Sequence, residues 1–318
     1  MAAAICLGEL LIDFVPTVTG TGLTDAPAFV KAPGGAPGNV AVGLARLGVP
    51  SAFMGKVGDD AFGRFLADTL AGAGVDVGPL RFSTEARTAL AFVSLRADGE
   101  REFMFYRHPS ADMLFNPGEV DIGAIHRAKL LHFGSISLIG EPSRGATLYA
   151  VDTARAAGCL ISYDPNLRLP LWPDANAARD GMLLGLKKAH VVKLSDDESE
   201  FLTGFSDLDA ACKALWHDEL KLLVVTRGRA GCVYFTADFS GGVESFAVEA
   251  VDATGAGDGF VAGLLQGLLA DPATFRDEAR LRELCRFANA VGALATLERG
   301  AIPALPDRER VLDFLRHQ

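Results

Sequence analysis

Cysteine is scarce in this chain and follows no ordered spacing. The five cysteines are an odd number, lie far apart and form no CxxC or Cys/His arrangement of the kind that binds metals. A disulfide framework is therefore not indicated, and a reduced, cytoplasmic setting is expected. Cys6, Cys159 and Cys232 lie in apolar runs and are predicted to be small buried hydrophobic residues.

Positive charge and long apolar runs are also lacking. Lysine and arginine total 30 against 40 acidic residues, a formal net charge of −10, which argues against nucleic acid or an anionic membrane as the main partner. The apolar runs at 260–270 and 287–297 are too short to span a bilayer. The segment MAAAICLGELLIDF lacks basic residues and reaches Glu9 and Asp13 early, which argues against a signal peptide. We expect a soluble protein.

The common nucleotide-binding motifs are missing. The sequence contains no GxxxxGKS or GxxxxGKT string, no HRD and DFG pair, and no GxGxxG after a predicted strand. The ordinary P-loop, the protein kinases and the dinucleotide-binding fingerprint are therefore excluded. If the chain binds a triphosphate, it does so by a different arrangement.

One segment has the composition of a phosphate-handling site. Residues 252–263 read DATGAGDGFVAG, a glycine turn leading into an apolar helix. Gly255, Ala256 and Gly257 have little or no side chain, so their N–H groups can point at an anion on the helix N-terminus. Asp258 would lie beside that anion, where a carboxylate can act as a base toward an attacking hydroxyl. The alternative is a plain strand-to-helix turn capped by aspartate.

Short apolar runs alternate with helix-like segments along most of the chain. The helical pattern occurs in NVAVGLARLG, DAFGRFLADTLAGAG, 141–157 and 176–188. The strand-like runs are ICLGELLIDF, SAFMGKVG, KLLHFGSI, CLISYDP, HVVKLS and LLVVTRG. This rhythm predicts an α/β fold, a doubly wound, mostly parallel sheet flanked by helices.

Two stretches interrupt that rhythm. Residues 12–33 are rich in Thr, Pro and Gly. The segment TALAFVSLRADGEREFMFYRHPSADM, at 88–113, alternates apolar and polar residues around the turn signal ADGE at 97–100. The second pattern predicts a β-hairpin. No repeat or long linker divides the chain. We expect one unit over 1–318, with an α/β core at about 1–11, 34–87 and 113–318 and a small β-sheet lid at about 12–33 and 88–112.

Polar residues follow several predicted strands, the place where open α/β sheets bind ligands. Asp13 follows GELLI, and GGAPGN at 34–39 leads into a helix predicted to begin near Asn39. A carboxylate and an amide beside glycines suit a polyhydroxylated ligand. An asparagine there is equally typical of a helix cap.

Two further segments place polar residues after strands. Asp164, Asn166 and Arg168 follow the strand in YDPNLR. Lys193 and Glu198 flank the turn after HVVKLS, where a carboxylate can hold magnesium directly or through water. Glu198 alone would also fit a plain helix surface.

Together these residues resemble the ribokinase/PfkB family of carbohydrate kinases over essentially the whole chain. GGAPGNVAVGLARLG at 34–48 matches the N-terminal family signature, and DATGAGDGFVAG at 252–263 matches the C-terminal one. The pair, in this order and about 220 residues apart, is far more specific than either string alone. The resemblance implies a ribokinase-like core with a β lid, and commonly dimerisation through that lid.

The resemblance also implies roles at matching positions. Asp258 would be the general base that activates a sugar hydroxyl, and Gly255, Ala256 and Gly257 would form the anion hole. The cosubstrate would be ATP, with Mg²⁺, and the cation loop implies K⁺. The positions implied for sugar are Asp13, Gly34, Gly35, Asn39, Arg107 and Arg168; for nucleotide Lys193, Thr226, Gly228, Gly231 and Asn289; for Mg²⁺ Glu198; and for K⁺ Asp252, Thr254, Ala295, Glu298 and Gly300.

Three positions depart from the family pattern. Ala253 replaces the usual residue after the first Asp of the C-terminal signature. The NxxE element reads Ser195 to Glu198, so the acidic magnesium position is kept while the asparagine is lost. Ala304 lies where a side-chain ligand of the monovalent cation can occur.

The substrate is narrowed by three segments, YDPNLRLPLW, KLSDDESEFLTG and REFMFYRHPSADM, which are most similar to those of fructokinases. Arg107 and Arg168 would then reach the far end of a ketose or its product phosphate. They would equally suit the carboxylate of 2-keto-3-deoxygluconate, the alternative substrate. A non-catalytic sugar or nucleotide sensor of the same fold is the alternative from another class.

Overall fold

Two β-sheets organise the chain in the computed structural model, which describes residues 2–18, 20–95 and 101–318. The strands are β1 Ala4–Leu7, β2 Leu11–Pro16, β3 Phe29–Gly34, β4 Ser51–Gly58, β5 Leu80–Ser83, β6 Ala89–Leu95, β7 Arg101–Tyr106, β8 Leu130–Phe133, β9 Leu160–Tyr163, β10 Val191–Ser195, β11 Leu222–Thr226, β12 Cys232–Phe235 and β13 Ser240–Val243.

The large sheet has nine strands in the order β13-β12-β11-β10-β9-β8-β1-β4-β5. From β11 to β5 every neighbouring pair is parallel, whereas β12 and β13 add an antiparallel edge. The central strands are buried on both faces, so their sequences are continuous apolar runs. The prediction of a mostly parallel sheet is confirmed. The edge strands β5 and β13 were not predicted, because they are short and only partly apolar. Strand β12 begins at Cys232, which was expected in an apolar run.

Helices cover both faces of this sheet. Alternate side chains of each strand enter two separate hydrophobic clusters: Cys6 joins one cluster, and its neighbours Ile5 and Leu7 join the other. The doubly wound arrangement is therefore confirmed. The helices are α1 Ala36–Arg46, α2 Ala61–Gly72, α3 Ile122–Arg127, α4 Ser143–Ala156, α5 Ala175–Leu186, α6 Asp196–Thr203, α7 Leu208–Leu215, α8 Ala256–Ala270, α9 Glu278–Leu294, α10 Ala301–Ala304 and α11 Arg308–Arg316.

Two further predictions concern the burial of the cysteines and the absence of a membrane-spanning helix. All five cysteines are free and buried. This confirms the burial that was predicted for Cys6, Cys159 and Cys232 from their apolar surroundings. Within the described ranges, no helix combines the length and the apolar character needed to cross a membrane.

The small sheet has the order β3-β2-β6-β7. Strands β6 and β7 pair antiparallel, as the hairpin prediction requires; the turn ADGE lies outside the described residues. One face of the sheet, with Ile12 and Phe14, packs against the main core, and Leu11, Ala89 and Ala91 form a separate cluster. Asp13 alternates with Ile12 and Phe14 and therefore lies on the face of Leu11.

Two boundaries differ from the prediction. ICLGELLIDF divides into β1 and β2, so Asp13 lies inside a strand of the small sheet and not at the end of a core strand. Gly8 breaks the run with a φ of 155°, and a Cβ there would lie 2.7 Å from Pro37 Cγ. Helix α1 begins at Ala36, because Pro37 favours the first turn, so Asn39 lies within the helix and does not cap it.

Glycines let α8 pack closely on α9. Gly263 and Gly267 are one turn apart on α8; a Cβ on Gly263 would lie 3.0 Å from Ala288 Cα, and one on Gly267 would lie 2.2 Å from Leu284 Cδ1. These contacts leave no room for a side chain. The position of α8, and of the residues at its N-terminus, is therefore set by α9.

We expect Gly263→Leu to lower the free energy of unfolding by about 1–3 kcal/mol, because the new side chain must push α8 away from α9. Urea denaturation measures this change. Gly72→Leu is the matched control, since a Cβ on Gly72 meets nothing within 4 Å. Equal effects of the two substitutions would show that the close packing of α8 on α9 is not limiting.

Candidate active site

The N-terminus of α8 is open to an anion. Gly255 is the N-cap residue, in the left-handed region at φ 83°, and a Cβ there would lie 2.7 Å from Ala301 Cβ. Only glycine satisfies both conditions. The N–H groups of the first helical turn have no partner within the helix, and the helix dipole makes this end positive.

Asp258 lies in this first turn and is buried. Its Oδ2 accepts a 2.7 Å hydrogen bond from Asn39 Nδ2 of α1. Burial raises the pKa of Asp258 to about 6, a rise that Asp164 reinforces and that Asn39, Lys193 and Arg168 oppose. The group is therefore ionised at neutral pH and remains basic enough to accept a proton.

The side-chain carbonyl oxygen of Asn39 is not used by the hydrogen bond to Asp258. This oxygen, Oδ1, is buried and, among the described residues, has no hydrogen-bond partner. A buried carbonyl oxygen without a donor is costly. Asn39 therefore presents an acceptor for a hydroxyl next to the carboxylate that it holds.

Lys193 adds positive charge on the other side of Gly257. A Cβ on Gly257 would lie 3.2 Å from Lys193 Nζ, and Nζ is 3.1 Å from Asp164 Oδ2. Burial alone would lower the pKa of Lys193, but Asp164, Glu198 and Asp258 raise it. Lys193 is thus a charged ammonium beside the helix N-terminus.

Asp13 and Arg168 approach the same region. Burial raises the pKa of Asp13 to about 6, and the charge of Arg168 opposes that rise. A Cβ on Gly34 would lie 2.2 Å from Asp13 Oδ2, so a side chain there would displace the carboxylate. Arg168 Nη1 donates to Asn166 Oδ1 over 2.8 Å, which fixes the guanidinium. The charge of Arg168 lowers the pKa of both Asp13 and Asp258, so these three predicted residues share one electrostatic environment.

Two other predicted sugar-binding positions are occupied by contacts within the chain. Gly35 has a φ of 111°, and a Cβ there would lie 2.5 Å from the carbonyl oxygen of Glu9, so the close approach requires glycine. Arg107 is buried, and its Nε donates to Asp112 Oδ2 over 3.0 Å. The structure therefore pairs Arg107 with a carboxylate of its own chain, and its role toward a substrate stays a prediction.

A cavity of about 680 Å³ opens beside the first turn of α8. Its size suits a nucleotide. Four residues predicted from the sequence, Thr226, Gly228, Gly231 and Asn289, line it together with Ala256 and Gly257. Sequence reasoning missed residues 245–250, which also line the cavity, because they form no recognisable motif. Only their place after β13 could have indicated them.

Asn289 on α9 is oriented by the backbone that leads into this segment. Its Nδ2 donates to the carbonyl oxygens of Val243 and Glu244 over 3.2 and 3.1 Å. Since carbonyl oxygens only accept, the amide nitrogen must face them. The side-chain carbonyl of Asn289 is left for the cavity.

Glu198 is buried and does not lie on a plain helix surface. Its Oε2 accepts from Ser195 N over 2.8 Å in a capping box, and its Oε1 accepts from Leu167 N over 2.7 Å. No group of three or more His, Cys, Asp or Glu side chains that could hold a metal occurs in the part of the chain that the structure describes. Glu198 could therefore hold a cation only together with water or a ligand, and this role stays a prediction.

The predicted cation loop is closed by hydrogen bonds. Asp252 Oδ1 accepts from Thr254 N and Oγ1, and Asp252 Oδ2 accepts from Gly300 N over 2.9 Å. These three predicted residues lie together, beside Ala295 at the end of α9. The carboxylate of Glu298 lies 3.1 Å from Arg310 instead, so its side chain is not aimed into the loop.

We expect Asp258→Asn to stabilise the fold at pH 8. Since burial raises the pKa of Asp258 from 3.8 to about 6, ionisation costs the folded state about 3 kcal/mol above that range. The gain should shrink as pH falls from 6 towards 4, where the wild-type carboxyl is protonated. Urea denaturation at several pH values measures it, with exposed Asp238→Asn as the control. A loss of stability at pH 8 would contradict this account.

Comparisons with known proteins agree with this geometry. Residues 1–308 match the model of the pfkB family of carbohydrate kinases. A probable fructokinase-4 from Arabidopsis thaliana is 56% identical over 98% of this chain and 96% of its own. Fructokinase-2 from Solanum lycopersicum is 54% identical, over 98% and 95%.

Solved structures show the same fold. A fructokinase from Xylella fastidiosa with bound ATP has a TM-score of 0.92 at 36% identity and covers 100% of this chain and 99% of that one. A double mutant of the Vibrio cholerae O395 fructokinase, with fructose, ADP and potassium ion bound, has a TM-score of 0.89 at 36% identity, over 99% and 98%. On its signatures, its fold and these matches, the chain belongs to the pfkB family of carbohydrate kinases.

Proposed function

We propose that the protein is an ATP-dependent fructose kinase that transfers the γ-phosphate of ATP to the primary hydroxyl of D-fructose, giving D-fructose 6-phosphate. The observation that carries this proposal is the buried Asp258 carboxylate, which Asn39 holds in the helical turn that lines a nucleotide-sized cavity. The similarity to fructokinases supports fructose as the sugar. It does not favour 2-keto-3-deoxygluconate or a non-catalytic sensor.

The sugar would bind between the small sheet and α1. Asp13 and the carbonyl of Asn39 would supply acceptors. Gly34 lets the Asp13 carboxylate lie against the backbone, and Gly35 lets α1 begin beside the carbonyl of Glu9, so both glycines would shape this end of the site. Arg168 supplies a fixed cation at this end. Two acceptors and a cation suit the several hydroxyl groups of a ketose.

Asp258 would accept the proton of the attacking hydroxyl as its oxygen bonds to the γ-phosphorus and ADP leaves. Its pKa of about 6 is suited to this step near neutral pH. The N–H groups at Gly255, Ala256 and Gly257 would balance the charge of the transferring phosphoryl group, although that of Ala256 must first leave the carbonyl oxygen of Ala253, 3.3 Å away. Lys193, beside Gly257, adds a positive charge there.

The nucleotide would occupy the cavity lined by Thr226, Gly228, Gly231 and Asn289. Mg²⁺ fits a site with few protein ligands, because this ion usually keeps several waters and is held mainly by phosphates. Glu198 would hold it through water, and the ion would offset phosphate charge. The closed loop of Asp252, Thr254 and Gly300 would bind K⁺ mainly through main-chain carbonyls, with Ala295 and Glu298 contributing theirs.

The small sheet would act as a lid and as a dimer interface, which we propose from its exposed apolar residues. Val15 and Val30 are register partners on the face of Asp13, and they are 44% and 59% exposed. Paired exposed valines on a small sheet favour contact with a second copy. A cytoplasmic location also stays a proposal, supported by the five unpaired cysteines.

The first test is ADP release with fructose, 2-keto-3-deoxygluconate, glucose, ribose and adenosine, measured in potassium and in choline buffers. We expect fructose to be preferred and potassium to raise the rate. Asp258→Asn should lower kcat by about 10² to 10⁴ because the base is lost, while calorimetry finds fructose binding nearly unchanged. Equal losses of kcat and of fructose affinity would contradict the role of Asp258, and preference for the keto acid would contradict the substrate.

The dimer is tested by size-exclusion chromatography with light scattering. We expect the wild type to have twice the mass of one chain and Val30→Glu to shift it toward the monomer, because a charge in an apolar interface is costly. Phe205→Glu, at a 48% exposed site beyond α6, is the control and should stay dimeric. A monomeric wild type would rule out the interface.

A further inference from the structure

Asp164 lies at the centre of the charged groups and has no role in the function proposed above. It follows β9 directly and is buried. Its Oδ1 accepts from Asn166 N over 3.1 Å, and its Oδ2 lies 3.1 Å from Lys193 Nζ. Both carboxylate oxygens are therefore fixed.

Lys193 has three carboxylates within its electrostatic reach, Asp164, Glu198 and Asp258. Its ammonium interacts with Asp164 and with Asp258, but the close pair is with Asp164. Asp258 instead takes its hydrogen bond from the neutral amide of Asn39. If Lys193 paired with Asp258 directly, it would stabilise the ionised carboxylate and weaken it as a base.

We propose that Asp164 is a positioning residue for the phosphoryl transfer, which holds Lys193 toward the phosphate path and away from Asp258. The inference rests on the proposed function, since it needs Asp258 to act as the base. A buried ion pair is often a structural feature only. The two roles differ in what happens to Asp258 when Asp164 loses its charge.

The side chains that act on the pKa of Asp258 come from three parts of the fold. Asn39 faces it from α1, Lys193 from β10, and Asp164 and Arg168 from the segment after β9. His132 on β8 is buried near Lys193, and its pKa is lowered to about 3, so it stays neutral and adds no charge. Asp164 is thus the one negative group among the described residues that both raises the pKa of Asp258 and binds its competing cation.

The experiment is the pH profile of kcat with fructose and ATP for Asp164→Asn, Lys193→Met and the double variant. Asp164→Asn keeps the shape but frees Lys193 to approach Asp258. In Asp164→Asn we expect the acid limb of the kcat profile to move to lower pH by about one unit or more. We also expect kcat at neutral pH to fall about tenfold, with little change in the KM for fructose. Removing Lys193 as well should return the limb toward its wild-type position, a coupling that single variants cannot show.

Three results would overturn the inference. If the acid limb of the kcat profile did not move in Asp164→Asn, the ion pair of Asp164 with Lys193 would have a structural role only. A limb that moves alike in Asp164→Asn and in the double variant would show that Asp164 does not act through Lys193. A rise confined to the KM for Mg²⁺ would make Asp164 a metal-binding group. Thermal denaturation confirms that each variant is folded, and a wild type without fructose kinase activity would refute the proposed function, not this inference.

Discussion

The hydrogen bond from Asn39 to Asp258 is the contact on which the site depends. It joins residues 219 positions apart and ties α1 to α8 across the core. A carboxylate this deeply buried is costly to ionise, as its raised pKa shows. Asn39 reduces that cost without supplying a charge, so Asp258 remains ionised and still basic. A lysine in the place of Asn39 would stabilise the ion more and leave a weaker base.

The surrounding fold holds this pair in place through close backbone approaches. Gly255 permits the turn that opens α8, and Gly263 lets α9 press against it. On the other side, Gly35 opens α1 while the carbonyl of Glu9 lies where its Cβ would be. Asn39 and Asp258 therefore both lie near the N-terminus of a helix whose N-cap position requires glycine. Close packing therefore explains part of the glycine content of the two family signatures.

The sequence predicts those parts of the molecule in which a local residue pattern is compatible with only one structure. Continuous apolar runs are buried parallel strands, and the glycine turn before Asp258 is an open helix start. Prediction from the sequence fails where contacts between distant residues determine the local structure. The segment around Gly8 is apolar on both sides, so its division between two sheets is invisible until Pro37 is seen packed against the glycine. Residues 245–250 line the cavity by position alone, and Arg107 is paired by Asp112, a partner that no motif indicates.

The balance of charge explains why such a site would need cations from solution. Among the described residues around Asp258, two positive side chains, Lys193 and Arg168, interact with four carboxylates. These are Asp13, Asp164, Glu198 and Asp258 itself. The side chains around Asp258 therefore carry more negative than positive charge, in keeping with the net charge of −10. If Asp258 is the base, further lysine or arginine beside it would lower its pKa and weaken it. Positive charge that arrived with a nucleotide would instead balance the phosphates only while they were bound, and would leave Asp258 free of a permanent cation partner.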